Sequence, residues 1–299
     1  MIVDSPAVAA ARRAGRPVVA LESSVFAQGL RPPANREAHA RMTGAVAGAG
    51  AVPAVTAVVR GAPVLGLADA DLERFLTAGA PKVSARDLPW AAATARDGAT
   101  TVAATLAIMA AAGVDVFATG GIGGVHRGAP FDESADLLEL SRTSAVVVCA
   151  GAKSILDLPA TVERLETFGV AVIGFRTDEF PGFFTARTGL PVGAVADSAA
   201  EVARALLAGR RLGRPGAVLV VQPPPPSDRL DPAMVDGAVA GAVRAAAEAD
   251  VHGAALTPWL LGAVERATEG ASVRVNLALL EANARLAGEV AVALAHETA

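Results

Sequence analysis

An alternation of two kinds of segment limits this 299-residue chain more than any single motif does. Short β-branched runs recur along it: PVVALES (17–23), AVPAVTAVV (51–59), VDVFATG (114–120), SAVVVCAG (144–151), VAVIGF (170–175) and GAVLVVQP (216–223). Between and after them lie alanine-rich stretches of helical pattern at 34–48, 69–78, 100–112, 134–142, 155–168, 198–212, 231–249 and 257–296, the last broken near Gly270. Several of the runs are apolar throughout, as expected of strands covered on both faces by helices. Together they predict a three-layer α/β/α fold with a mainly parallel sheet. No repeat and no long linker divides the chain, so residues 1–299 are expected to form one domain.

Composition removes several function classes. A net charge of −4 with scattered arginines provides no basic stripe for a nucleic-acid backbone. The uncharged runs are Gly/Ala-rich and shorter than the roughly 20 apolar residues of a membrane span. Asp4, and arginines that follow the apolar run rather than precede it, are the wrong order for a secretory signal. One cysteine, Cys149, sits in an apolar run and excludes an internal disulfide. The expectation is a cytoplasmic protein acting on a small molecule, with neither nucleic acid nor membrane as partner.

The basic residues carry a sharper signal. Of 26 Lys and Arg, only Lys82 and Lys153 are lysines; tyrosine is absent, and asparagine (35, 276, 283) and glutamine (28, 222) are nearly so. A coding bias that replaces lysine by arginine wherever charge suffices leaves lysine where only lysine serves. Arginine stays protonated, whereas a desolvated lysine can lose its proton and form an imine.

In open α/β sheets, ligands collect beyond the carboxyl ends of the strands, and polar residues gather there. Glu22 closes PVVALES, where a partly buried acid would have the raised pKa of a general acid; a capping acid is the plainer reading. The glycine-rich TGGIGGVHRG (119–128) follows VDVFA, implies close backbone approach to ligand or neighbouring chain, and carries His126. Lys153 follows SAVVVCAG beside Ser154, a predicted helix N-cap, so that desolvation and the helix dipole would both favour its neutral amine. RTDEFPGF (176–183) brings Asp178 and Glu179, as caps or substrate contacts. Asp132, Glu133 and Asp136, with Ser134 among them, could hold a hard divalent cation through oxygen or simply enrich a helix N-terminus in acid. Lys82 is either a point-charge phosphate ligand or an ordinary loop charge.

These blocks, with PKVSARDLP (81–89), GATTVAATLAIMAAAGVDVFATGGIGGVHRG (98–128), FDESADLLEL (131–140) and the closing SVRVNLALLEANARLAGEVAVAL (272–294), resemble the pseudouridine-5′-phosphate glycosidases, in order from about residue 16 to 295. The resemblance implies an α/β/α homotrimer, dependent on Mn2+, that splits pseudouridine 5′-phosphate with water into uracil and ribose 5-phosphate. It places the nucleophile at Lys153, the proton donor at Glu22 and the metal ligand at Asp132. Substrate contacts fall on Lys82, Val102 (through its backbone), Ser134, Ala135 and Asp136, with His126 and Asn276 as further pocket residues. Three departures bear on the metal and the base: a segment GAPFD (128–132) shorter than the family's, Glu133 in place of a hydrophobic residue, and Gln28 in place of a frequent histidine. Two other functions fit the same residues. A Schiff-base aldolase or lyase would use Lys153 on another sugar phosphate, and a non-catalytic sugar-phosphate-binding protein would use these groups for recognition only.

Overall fold

The computed structural model describes residues 2–128, 131–251 and 256–298. Its strands are β1 Val3–Asp4, β2 Val18–Glu22, β3 Val52–Val59, β4 Ala62–Leu65, β5 Lys82–Val83, β6 Gly98–Thr100, β7 Val116–Ala118, β8 Val125–His126, β9 Val146–Cys149, β10 Leu156–Asp157, β11 Ala171–Phe175, β12 Ala194–Ala196 and β13 Val218–Val221. The α-helices are α1 Pro6–Arg13, α2 Ala34–Gly48, α3 Asp69–Ala78, α4 Leu88–Ala93, α5 Val102–Ala112, α6 Ala135–Arg142, α7 Leu158–Thr167, α8 Ala199–Arg211, α9 Pro232–Glu248, α10 Leu256–Ala267 and α11 Ala271–Thr298. No helix among the described residues is long and apolar enough to cross a membrane.

One sheet runs β1-β4-β3-β2-β7-β9-β13-β11-β12, with β6 beside β3 and β5 beside β6. From β3 to β12 every neighbouring pair is parallel. The apolar runs explain this core: β2, β7, β9 and β13 are buried along their whole lengths, so both faces need a helical cover. Right-handed crossovers send α2, between β2 and β3, and α8, between β12 and β13, to one face, where both pack on α11. The connections that advance from β6 to β7 and from β7 to β9 put α5 and α6 on the other face, in contact with each other. The chain therefore turns left from β2 to β3 and then right to β7. The strand order reverses between β2 and β7, and their carboxyl ends flank the crevice that such a reversal opens.

The sequence reading of a three-layer, mainly parallel fold holds, and the long C-terminal pattern does break into α10 and α11 around Gly270. The antiparallel margin was not foreseen. β4 folds back on β3 through Arg60 and Gly61, both at positive φ, the requirement of a two-residue type I′ turn. An alanine at Gly61 would put its Cβ 2.8 Å from Ala95 Cα. A second correction concerns the segment after Lys153. It does not enter a helix at Ser154: Leu156 and Asp157 pair antiparallel with His126 and Val125, and α7 starts at Leu158, with Asp157 Oδ1 capping Ala160 N at 3.0 Å. Ser154 caps nothing, and the helix dipole is displaced from Lys153.

Candidate active site

Glu22 is the last residue of β2 and only 3% exposed. Four buried hydroxyls fix the strand end beneath it. Ser23, Thr56, Thr100 and Thr105 bond to one another where β2, β3, β6 and α5 meet, with Thr56 2.8 Å from both Thr100 and Thr105. The Glu22 carboxyl bridges the crevice at the strand reversal: Ser24 Oγ donates to one oxygen and Thr119 Oγ1, just past β7, to the other. Burial pushes its pKa above the ordinary carboxylate value. The Lys153 charge and the two hydroxyl donors oppose that push without cancelling it, and Asp136 adds to it. A carboxyl so held keeps its proton to higher pH than a free glutamate, as a proton donor requires. The capping reading of Glu22 is thus displaced by a buried acid.

Lys153 lies two strands from Glu22, beyond the end of β9. Its loop is stitched to the glycine-rich loop: Ala150 N donates to Gly120 O at 2.8 Å, Ile122 bridges Ala152, and Lys153 N donates to Ile122 O at 3.1 Å. The β8–β10 pair continues the seam, and Arg127 clamps it by donating to Leu156 O (3.0 Å) and Ser154 O (3.4 Å). Glycine is needed because the backbones and their cover come so close. A Cβ on Gly121 would lie 2.7 Å from the ring of Phe183 and 3.1 Å from Gly151 O. Cys149, at the end of β9, is a buried thiol with its pKa pushed up to about 12 by burial, which excludes it as a nucleophile.

Glu22, Lys82, Asp136 and Lys153 lie within electrostatic reach of one another. Lys82 feels Lys153, Asp136 and Glu22, and Glu22 feels Lys153 and Asp136. Lys82, on β5, has an exposed surface, yet the protein around it desolvates the ammonium enough to draw its pKa down, and the Lys153 charge adds to this. The Gln28 amide donates to Ala80 O and ties the π-helical turn Val25–Gly29 to the segment carrying Lys82; Gln28 Oε1 is left buried without a partner. Asp136 is buried, and both its oxygens are taken by backbone: Ala103 N at 3.0 Å and Gly123 N at 2.8 Å. It therefore joins the start of α5 to the glycine-rich loop. Val102 is the first residue of α5 and buried. Ser134 caps α6, its Oγ accepting from Asp136 N at 3.2 Å, and Ala135, the first residue of α6, is exposed.

Asp132 is half-exposed, its Oδ1 3.3 Å from His126 Nδ1, and the two backbones bond at 2.9 Å. Both ring nitrogens of His126 are buried without a hydrogen-bond partner. Among the described residues no cluster of three His, Cys, Asp or Glu could cage a metal. What the site offers is a lone accessible carboxylate with an unsatisfied imidazole beside it, which suits a hard, largely hydrated ion rather than a chelated one. Ala129 and Pro130 of the shortened segment lie outside the described residues. The neighbouring departure has a structural answer: Glu133 accepts from Arg164 Nε (3.0 Å) and Nη2 (2.8 Å), pinning the Asp132 segment to α7. Asn276, on α11, points its Oδ1 at Gly120, 3.5 Å from where a Cβ would stand. Glu179 is a loop staple, accepting from Arg187, Thr188 N and Gly189 N, with its pKa lowered by Arg187 first. The structure thus brings Glu22, Lys82, Asp136 and Lys153 within electrostatic reach of one another, with Asn276 against Gly120 and His126 beside Asp132 at the adjoining loop. Sequence reasoning missed Ser24, Thr119, Arg127 and Phe183.

Comparison with known proteins bears on the same residues. The family described as Indigoidine synthase A like protein matches residues 7–293. The chain is 62% identical over 285 residues to the pseudouridine-5′-phosphate glycosidase of Gemmatimonas aurantiaca, covering 95% of this chain and 93% of that one. It is 50% identical over 296 residues to the protein of the same name from Herpetosiphon aurantiacus, covering 98% of each. Among solved structures, the prealnumycin C-glycosynthase AlnA in complex with ribulose 5-phosphate superposes with a TM-score of 0.92 at 41% identity, over 100% of this chain and 98% of its own. An indigoidine synthase A-like protein of Thermotoga maritima superposes at 0.91 with 35% identity, over 99% and 97%.

Proposed function

We propose that this chain, which belongs to the Indigoidine synthase A like family and within it to the pseudouridine-5′-phosphate glycosidases, reversibly cleaves the C–C glycosidic bond of pseudouridine 5′-phosphate to uracil and ribose 5-phosphate. The observation that carries the mechanism is the pairing, across the end of β7, of a buried carboxyl of raised pKa at Glu22 with the lysine at 153.

A carbon–carbon glycoside has no leaving nitrogen or oxygen to protonate, so the uracil ring carbon must itself receive a proton as its bond breaks. Glu22 supplies it. The neutral Lys153 nitrogen bonds to C1′ as the ring oxygen leaves that carbon and takes a proton from the nitrogen. Its lone pair then forms the C=N bond while the C1′–uracil electron pair moves onto the base and captures the Glu22 proton. Water adds to the iminium carbon and gives one proton to the Glu22 carboxylate; its other proton passes to nitrogen as the C–N bond breaks, releasing ribose 5-phosphate and the free amine. An arginine could perform none of these nitrogen steps, which accounts for one of the two surviving lysines. Lys82 and the glycine-loop amides hold the 5′-phosphate, and this remote binding orients the reacting carbon. An open-chain pentose 5-phosphate in the AlnA complex supports a site shaped for such an intermediate.

Mn2+ would be held at Asp132 with water in most of its shell, and when bound it supplies positive charge to a polyanionic substrate. We place the working form in the cytoplasm as a homotrimer. The test is uracil release from pseudouridine 5′-phosphate, followed by chromatography. Wild-type protein should release one uracil per ribose 5-phosphate, Lys153→Arg should release none, and Glu22→Gln should release it far more slowly. An aldolase would leave pseudouridine 5′-phosphate untouched, and a binding protein would retain it unchanged; either result removes the reading.

A further inference from the structure

We propose that Asn283, held by Gln222, is a positioning residue for the acid: it fixes the Thr119–Gly120 backbone so that the Thr119 hydroxyl stays aimed at Glu22. Asn283 is fully buried on α11, where an amide is tolerated only if its donors and acceptor are met. Its Nδ2 donates to Thr119 O at 2.8 Å and Gly120 O at 3.3 Å, and its Oδ1 accepts from Gln222 Nε2 at 2.9 Å. Gln222 is anchored in turn, its backbone N donating to Cys149 O at 3.0 Å. Gly120 O already receives Ala150 N, whereas Asn283 is the partner of Thr119 O among the described residues. Thr119 is itself fully buried, with its N bonded to Val148 O at 3.0 Å. A β-branched side chain has a restricted choice of χ1, and the one Thr119 adopts on this backbone brings its hydroxyl to Glu22 Oε1.

The relay thus runs from the end of β13 through α11 and the end of β7 to the end of β2. Packing alone does not require an amide at 283, since leucine has the same branched outline without the polar atoms. Two of the chain's five Asn and Gln residues meet here. The groups that act on Glu22 are the Lys153 and Lys82 ammonium ions, the Asp136 carboxylate and the Ser24 and Thr119 hydroxyls. Of these, Asn283 reaches only Thr119.

The test titrates Glu22 directly, by carbon NMR of protein labelled at the glutamate carboxyls, with Glu22→Gln to assign the signal. Thr119→Val removes a donor to the ionised carboxylate and should lower its acid dissociation constant roughly tenfold. Thr119→Ser should keep it near wild type. Asn283→Leu should lower it severalfold, and should add nothing in a Thr119→Val background, because both act through one hydroxyl. If Asn283→Leu does not fold, Gln222→Leu, at a half-exposed residue, should move the titration in the same direction by less. An unmoved titration in a folded Asn283 or Gln222 variant, or shifts that add to that of Thr119→Val, would overturn the relay. The part that rests on Glu22 as the acid is read separately, in the basic limb of the pH profile for uracil release, which should move up with the titration. A titration that moves while that limb stays put would sustain the relay and remove Glu22 from proton donation.

Discussion

At the scale of single residues, a biased composition makes the exceptions informative. Lys153 and Lys82 could be picked out because every other basic residue is arginine, and both lie within electrostatic reach of Glu22. The same scarcity marks Asn283 and Gln222, but their partners are a backbone carbonyl and each other, so no local pattern points to them. Thr119 was read only as the residue before the glycines. Its role depends on β2 and β7 becoming neighbours, which no window of sequence states. Glu22→Gln should reduce uracil release by about 10²–10⁴-fold, the usual contribution of a positioned acid, as measured by steady-state rates. It should also stabilise the fold at neutral pH. The Glu22 pKa is raised in the folded state, so the folded protein holds a proton that the unfolded chain loses, and stability falls as pH rises from the unfolded value of about 4.5 toward the raised one. Melting temperatures of wild type and Glu22→Gln should therefore nearly coincide near pH 4 and separate above it in the variant's favour. Equal separation at every pH would contradict the burial argument.

At the scale of elements, the seam between the glycine-rich loop and the Lys153 loop would hold the proposed chemistry in register. Gly121→Ala should force the Phe183 ring away, because the new Cβ would lie 2.7 Å from it. Turnover should drop at least tenfold while the circular dichroism spectrum stays that of a folded protein. Gly209→Ala, on α8 where a Cβ meets nothing within 4 Å, serves as the contrast. It should stabilise the protein by about 0.5–1 kcal/mol on chemical denaturation and leave turnover alone. Strands and helices of long, uninterrupted pattern were legible, since apolar runs and helical spacing carry their own signal. The start of α7 was not. ILDLP reads as a helix opening with Ser154 as its cap, yet Leu156 and Asp157 gain a partner strand in Val125–His126, and Pro159 fits the first turn of a later helix. The β3–β4 hairpin was missed because Arg60 rather than asparagine or aspartate precedes its glycine.

At the scale of the whole molecule, the site follows from topology. Strand order reverses between β2 and β7, and the acid, the glycine-rich loop, the lysine and Gln222 follow four adjacent strands, β2, β7, β9 and β13, on the carboxyl side. The alternation of segments foretold the parallel sheet and the side of it on which to look, whereas the order of strands became legible only in the structure. The proposed metal belongs to this scale too, because Asp132, the residue that would hold it, is half-exposed rather than buried with Glu22. Chelation should reduce turnover, Mn2+ should restore it, and Asp132→Asn should weaken that restoration while leaving Glu22's titration unchanged. The most direct test of the account is reductive trapping. The protein is incubated with Mn2+ and ribose 5-phosphate, reduced with borohydride and mapped by peptide mass. A sugar-phosphate adduct on Lys153, absent from Lys153→Arg, is the predicted result. An adduct on Lys82 instead, or none from a protein that still releases uracil, would contradict it.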